Sequence, residues 1–147
     1  MMATIRFTVP GECVGKQRPR VYRTATGGTR AVTPQKTVNY ETLVKWALTN
    51  TEGFKMLTGE IEAHITVYMQ MAKSMPKKDK KLVEEGKKNP TKKPDIDNLA
   101  KSILDACNGI AYKDDAYVTR AVIEKRYALE GEEARTEVMF RERFEKK

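Results

Sequence analysis

The sequence predicts a mixed α/β fold of the α+β kind: one small domain over residues 1–147, with a mixed sheet packed by two main helices. Three observations carry this. Residues 60–71 alternate, with Ile61, Ala63, Ile65, Val67, Met69 and Met71 on one face and Glu60, Glu62, His64, Thr66 and Gln70 on the other, which is the period of a half-buried strand. Residues 95–108 place Ile96, Leu99, Ala100, Ile103, Leu104 and Cys107 at helical spacing, so one helix face packs on the core. Within residues 20–32 the run Ala25-Thr26-Gly27-Gly28 supplies the glycines that a tight hairpin turn needs.

The remaining elements follow in order. Residues 3–9 read as a strand with Ile5, Phe7 and Val9 on one face, ended by Pro10 and Gly11. Pro34 suits the first turn of a helix running to about residue 50, with Val38, Leu43, Trp46 and Ala47 as its apolar stripe. Residues 73–93 read as a short helix within a mobile lysine-rich loop. A strand over about 117–128, a turn near Gly131 and a closing strand over about 135–144 complete the chain. His64 falls on the polar face of its strand with no second His or Cys nearby, which makes it a surface residue rather than a metal ligand.

The formal net charge of +8 is unevenly spread. Residues 16–40 carry Lys16, Arg18, Arg20, Arg23, Arg30 and Lys36 with no acidic residue, and residues 73–93 carry nine lysines against Asp79, Glu84 and Glu85. The rest of the chain is net acidic. Two concentrated basic segments point to a polyanion partner, because neutralising phosphates releases counterions; the alternative for the lysine-rich one is a solvated face. Cys13 and Cys107 make neither a disulfide framework nor a zinc site and are read as free thiols in a reducing compartment. No stretch has the length of a membrane span and the first residues lack the apolar core of a signal peptide, so a cytoplasmic protein is expected.

Chemistry concentrates in Lys93-Pro94-Asp95-Ile96-Asp97-Asn98-Leu99-Ala100-Lys101 and in Asp114-Asp115. At 100° per residue Asp97, Lys101, Asp105 and Asn108 form a polar stripe beside the buried helix face. Asp95 precedes the first turn, where it either caps the helix or turns its carboxylate aside. Two carboxylates then converge at a helix N-terminus; its dipole favours them, but they repel one another unless a cation sits between them. A tight reversal after Gly109 would bring Asp114 and Asp115 back beside the helix. Short oxygen ligands suit magnesium, which can polarise a scissile phosphate and lower the pKa of an attacking water, with Lys101 holding the phosphate. No paired His, Ser or Cys lies nearby for side-chain nucleophilic chemistry. Each residue alone also has an ordinary role: Asp95 as a cap, Asp114 and Asp115 as turn residues, and Lys101 as a surface partner of Asp97 or Asp105 worth about 0.3–0.5 kcal/mol.

The run from Lys93 to Lys101, then Asp105-Ala106-Cys107-Asn108-Gly109, then Asp114-Asp115, resembles the RusA family of Holliday-junction resolvases, common in phages and prophages. Lys16-Gln17-Arg18-Pro19-Arg20 resembles that family's basic segment after the first strand. The resemblance implies metal carboxylates at Asp95, Asp97 and Asp115, an active-site lysine at Lys101, and supporting positions at Asn98, Asp105 and Asp114. It also implies Mg²⁺, with Mn²⁺ substituting, a homodimer, and paired nicking of four-way DNA junctions in a bacterial cell, with no small-molecule cofactor and no membrane. Lys16, Arg18, Arg20, Arg23, Arg30 and Lys93 are the expected DNA contacts. Two other functions stay open on the residues alone: a nucleic-acid binder without catalysis, and a nuclease for flaps or other branched DNA.

Overall fold

The computed structural model describes residues 2–16, 20–32 and 34–145. In chain order the elements are β1 (Thr4–Pro10), β2 (Arg20–Arg23), β3 (Thr29–Val32), α1 (Gln35–Thr49), β4 (Ile61–Met69), α2 (Lys77–Glu84), α3 (Ile96–Cys107), a single 3₁₀ turn (Asp115–Tyr117), β5 (Val118–Tyr127) and β6 (Arg135–Glu142). This is the expected α+β architecture: a mixed four-stranded sheet, two main helices, and a separate hairpin of β2 and β3. Among the described residues no helix is long and apolar enough to cross a membrane.

The sheet order is β1-β6-β4-β5, with β6 antiparallel to both its neighbours and β5 parallel to β4. A parallel neighbour cannot be reached by a tight turn, so the chain crosses over between β4 and β5, and that crossover contains α2 and α3. One sheet face buries Ile5, Phe7 and Val9 of β1, Val138 and Phe140 of β6, and Ile61, Ala63, Ile65 and Val67 of β4. Helices α1 and α3 pack on each other over this face, α1 toward β1 and α3 toward β5. Phe140 sits at the centre, its ring 6.1 Å from that of Phe7 and 5.4 Å from that of Tyr112, edge to face with the latter.

Helix α1 has the expected extent but a different buried face. Thr37, Tyr40, Val44, Ala47 and Leu48 face inward, whereas Val38 and Trp46 are exposed and Leu43 is only partly covered. Tyr40 explains the rotation: its ring packs in the core while its hydroxyl lies 3.3 Å from the Thr136 hydroxyl, so a polar-tipped residue does the burying. Pro34 stands at the cap position, just outside the first turn. On α3, Leu99, Ala100, Ile103 and Cys107 are buried as expected, together with Ser102 and Ala106, whereas Ile96 is exposed and Leu104 half-buried.

The outward face of β4 is not simply a wet surface. Glu62 is buried there between Arg141, Arg120 (3.3 Å) and His64 (2.7 Å). The His64 hydrogen bond, then the two arginines, hold its carboxyl below the usual carboxylate range against the opposing effect of burial. His64 thus serves this cluster as a carboxylate partner. Both cysteines are buried and free.

Phe140→Ala removes the ring against which Phe7 and Tyr112 pack. It is expected to cost about 3–5 kcal/mol in urea unfolding, and a loss below about 1 kcal/mol would show that the core is not organised around this ring.

Candidate active site

The start of α3 is fixed from two sides. Gly15 lies so close to the helix that a Cβ there would meet Pro94 Cβ at 2.8 Å and Asn98 Cβ at 3.4 Å, and the next amide, Lys16 N–H, donates to the Asn98 carbonyl at 3.0 Å. From the sheet side Lys125 Nζ donates to the Lys92 carbonyl at 2.6 Å. Asp95 occupies the cap position, and its carbonyl accepts from Leu99 N–H at 3.1 Å, but its side chain makes no capping hydrogen bond. Its carboxylate is therefore not engaged in the role that usually places aspartate there.

The third carboxylate arrives by the reversal after α3. Gly109 takes φ +78°, open to glycine at little steric cost, and the amides of Ile110 and Ala111 both donate to the Cys107 carbonyl. Tyr112 then plunges under Phe140 and donates its hydroxyl to the Leu104 carbonyl at 2.7 Å, while Leu57 N–H donates to Ala111 at 2.8 Å. This tight return delivers Asp114 and Asp115 opposite α3.

Asp97, Lys101 and Asp105 from α3 and Asp115 from the return line one open cleft of about 700 Å³, floored by Ala100, Leu104, Ala121 and Ile123. Neighbouring acids have divided the work. Asp114 accepts the Ala116 amide at 3.2 Å and caps the 3₁₀ turn; that bond, followed by one shared with Asp115, holds its carboxyl below the usual range. Asp115 is pushed up by the bond shared with Asp114, by partial burial, and by the charges of Asp114 and Asp105. Asp105 lies 3.5 Å from Lys16 Nζ, which also donates to Glu41. Burial opposes the charge on Lys16, but Glu41 and Asp105 outweigh it and raise its pKa.

Lys101 makes no ion pair with Asp97 or Asp105 among the described residues, so it is not the surface partner that its spacing allows. Asp95 is exposed and lies outside the cleft lining. Among the described residues no three of His, Cys, Asp or Glu stand close enough to hold an ion by themselves. What faces the cleft is an all-oxygen donor set on two elements, which fits a cation that takes one or two carboxylates and completes its shell with water and phosphate.

The expected DNA contacts separate. Arg23 and Arg30 are exposed on the hairpin, Lys93 is exposed before α3, and Arg20 begins β2. Lys16 is occupied within the fold, and Arg18 lies outside the described residues. Asn98 contributes its backbone carbonyl to the Lys16 contact. Gly15, Glu41 and Lys125 were not read from sequence as parts of the site. Lys125 carried a signal, since it stands opposite the buried Val67 on a strand face that otherwise reads Ala121 and Ile123.

The family model for endodeoxyribonuclease RusA matches residues 10–141, from the end of β1 into β6, with every residue of the cleft inside it. The chain belongs to the RusA endodeoxyribonuclease family. It is also 37% identical over 143 residues to the uncharacterized protein YqaN of Bacillus subtilis (strain 168), covering 96% of this chain and 98% of that one. The cleft between α3 and β5, lined by Asp97, Lys101, Asp105 and Asp115, lies wholly within the matched residues.

Gly15→Ala tests how the site is held. The added Cβ forces the segment away from Pro94, so unfolding is expected to show a loss of about 1–3 kcal/mol together with reduced DNA cleavage. Unchanged stability and cleavage would mean that this contact does not position α3.

Proposed function

We propose that this RusA-family chain is a Mg²⁺-dependent structure-selective endodeoxyribonuclease that resolves four-way DNA junctions by paired nicks. The observation that carries the reading is the division of labour around α3: Asp105 and Asp114 are engaged by Lys16 and Ala116, whereas Asp97, Lys101 and Asp115 share one cleft with no ion pair among the described residues. Asp97 and Asp115 would hold the cation, and Asp95, exposed outside the cleft lining with its carboxylate not spent on the cap, would join them only if it turned inward when metal and DNA bind. A bound magnesium ion, with manganese as substitute, supplies charge to polarise the scissile phosphate and to acidify an attacking water. Lys101 sits one helical turn from Asp97, where its ammonium offsets the charge that builds on the phosphate. The apolar floor of Ala100, Leu104, Ala121 and Ile123 would give the deoxyribose an apolar surface to lie on.

The DNA arms would lie along the exposed Arg23 and Arg30 of the hairpin, Lys93 and the lysines of α2. One cleft per chain makes one nick, so paired nicks in a two-fold-symmetric substrate call for a homodimer. Such a protein works in the cytoplasm of a bacterial cell, encoded by a phage or prophage.

The test is a synthetic four-way junction beside a linear duplex of the same sequence, with Mg²⁺ or EDTA. Symmetric nicks are expected only with junction and metal. Asp97→Asn and Asp115→Asn are expected to bring nicking to background while junction binding persists. Lys101→Ala is expected to lower turnover by about 10²–10³-fold with a smaller loss of affinity. Metal-dependent nicking retained by either Asn variant would remove the assignment.

A further inference from the structure

A second recess lies beside the cleft. Leu57 and Tyr112, both fully buried, form its floor, and Met56, Lys113 and Tyr117 form its rim, around a volume of about 230 Å³. Tyr117 is 42% exposed and Met56 40%, so both large side chains on the rim are open to a ligand. Tyr117 ends the same 3₁₀ turn that Asp115 begins, so ring and carboxylate ride on one rigid unit. The floor residue Tyr112 also feels the cleft: burial first, then charges that include Asp115, Asp105 and Asp114, raise its hydroxyl above the ordinary tyrosine range.

We propose that this recess receives one unstacked nucleobase of the DNA strand whose phosphate enters the cleft between Asp97 and Asp115. The proposal rests on the nuclease reading above and adds a source for its preference for branched DNA. The volume is below the few hundred Å³ of sites that enclose larger ligands, so it admits one ring system and excludes a base pair. An aromatic ring and a thioether on the rim offer stacking and sulfur contacts to any base. Lys113 is exposed, with no ion pair among the described residues, and can meet the adjoining phosphate.

The recess gives little for reading base edges. The amide and the hydroxyl of Thr58 are both donated to Glu142, at 2.9 and 3.1 Å, and the Tyr112 hydroxyl is donated to Leu104. It therefore selects for a base that can leave the stack rather than for a particular base. Extruding a base costs least where pairing is already disturbed, as at the branch of a junction, and most in an uninterrupted duplex. A stacking recess fixed beside the catalytic carboxylates thereby turns branch-point flexibility into cleavage selectivity.

The experiment is a two-by-two cycle of nicking rates on four-way junctions. Wild type and Tyr117→Ala are each assayed on the normal junction and on one with an abasic nucleotide at each position flanking the cut. Tyr117→Ala is expected to slow nicking of the normal junction by about 5- to 100-fold. On the junction with the abasic nucleotide at the recess position, wild type and variant are expected to cut at nearly equal rates. Tyr117→Trp should retain cutting of the normal junction, and Met56→Ala should show the same coupling at smaller size. Equal losses on normal and abasic substrates at every position would overturn the proposal, as would a change of oligomeric state in Tyr117→Ala, which would make the recess a subunit contact. Tyr117 is exposed enough that its loss should leave the circular dichroism spectrum unchanged; Met56→Ala carries the test if it does not. Absence of nicking by wild type would remove the junction reading itself, whereas nicking with additive losses removes this proposal alone.

Discussion

Tyr112 is held edge-on beneath Phe140 while its hydroxyl reaches back to the Leu104 carbonyl, and most of the candidate site follows from that placement. Its ring belongs to the sheet core and its hydroxyl is held by α3. Asp114 and Asp115 come two and three residues later, so the distance from α3 to the second acidic wall is set by a core packing contact rather than by the loop. Leu57 closes the other side by donating its amide to Ala111. The crossover from β4 to β5 supplies the geometry: a parallel pair forces the chain past α3 before it re-enters the sheet, and the acids stand at that re-entry.

Electrostatics then sorts the carboxylates. Several acids near a helix N-terminus and a tight turn cannot all remain unpaired without mutual repulsion. Lys16 draws off Asp105, and the Ala116 amide draws off Asp114. Asp115 carries what is left: its carboxyl rises through the hydrogen bond shared with Asp114, then through partial burial and the charges of Asp114 and Asp105. A cation in the cleft would offset the remaining negative charge, and the fold brings Asp97 of α3 and Asp115 of the return to the lining of the same cleft. The same sorting takes the first lysine of the basic segment after β1 into the fold, where it pairs with Glu41 and Asp105.

How much of this the sequence disclosed depended on whether one local pattern decided the outcome. Helix α3 was legible because its apolar spacing and its preceding Pro94-Asp95 agree, and β4 because its alternation is unbroken. Helix α1 was legible in extent but not in orientation, because two apolar stripes compete: Tyr40, Val44, Ala47 and Leu48 stand at helical spacing and are buried, whereas Val38 and Trp46 on the neighbouring face stay in solvent. Glu62 looked like a surface residue because its three cationic or imidazole partners come from β4, β5 and β6. In the cleft, Asp97 and Lys101 were readable from helical spacing, and a choice between Asp114 and Asp115 was not. Of these two adjacent side chains Asp114 accepts the Ala116 amide and Asp115 lines the cleft, a difference that rests on a single hydrogen bond. Gly15 and Lys125 act through contacts across the fold that neighbouring residues in sequence do not foreshadow.

The central claim is that Asp97 and Asp115, carried by different elements, hold one cation between them. Crystals of the protein equilibrated with Mn²⁺ and measured for anomalous scattering test it most directly. A peak is expected in the cleft between α3 and the Asp115 turn, with carboxylate oxygens of both Asp97 and Asp115 as ligands and water filling the remaining positions. A peak bound by Asp114 and Asp105 instead, or no peak in the cleft at saturating metal, would contradict it.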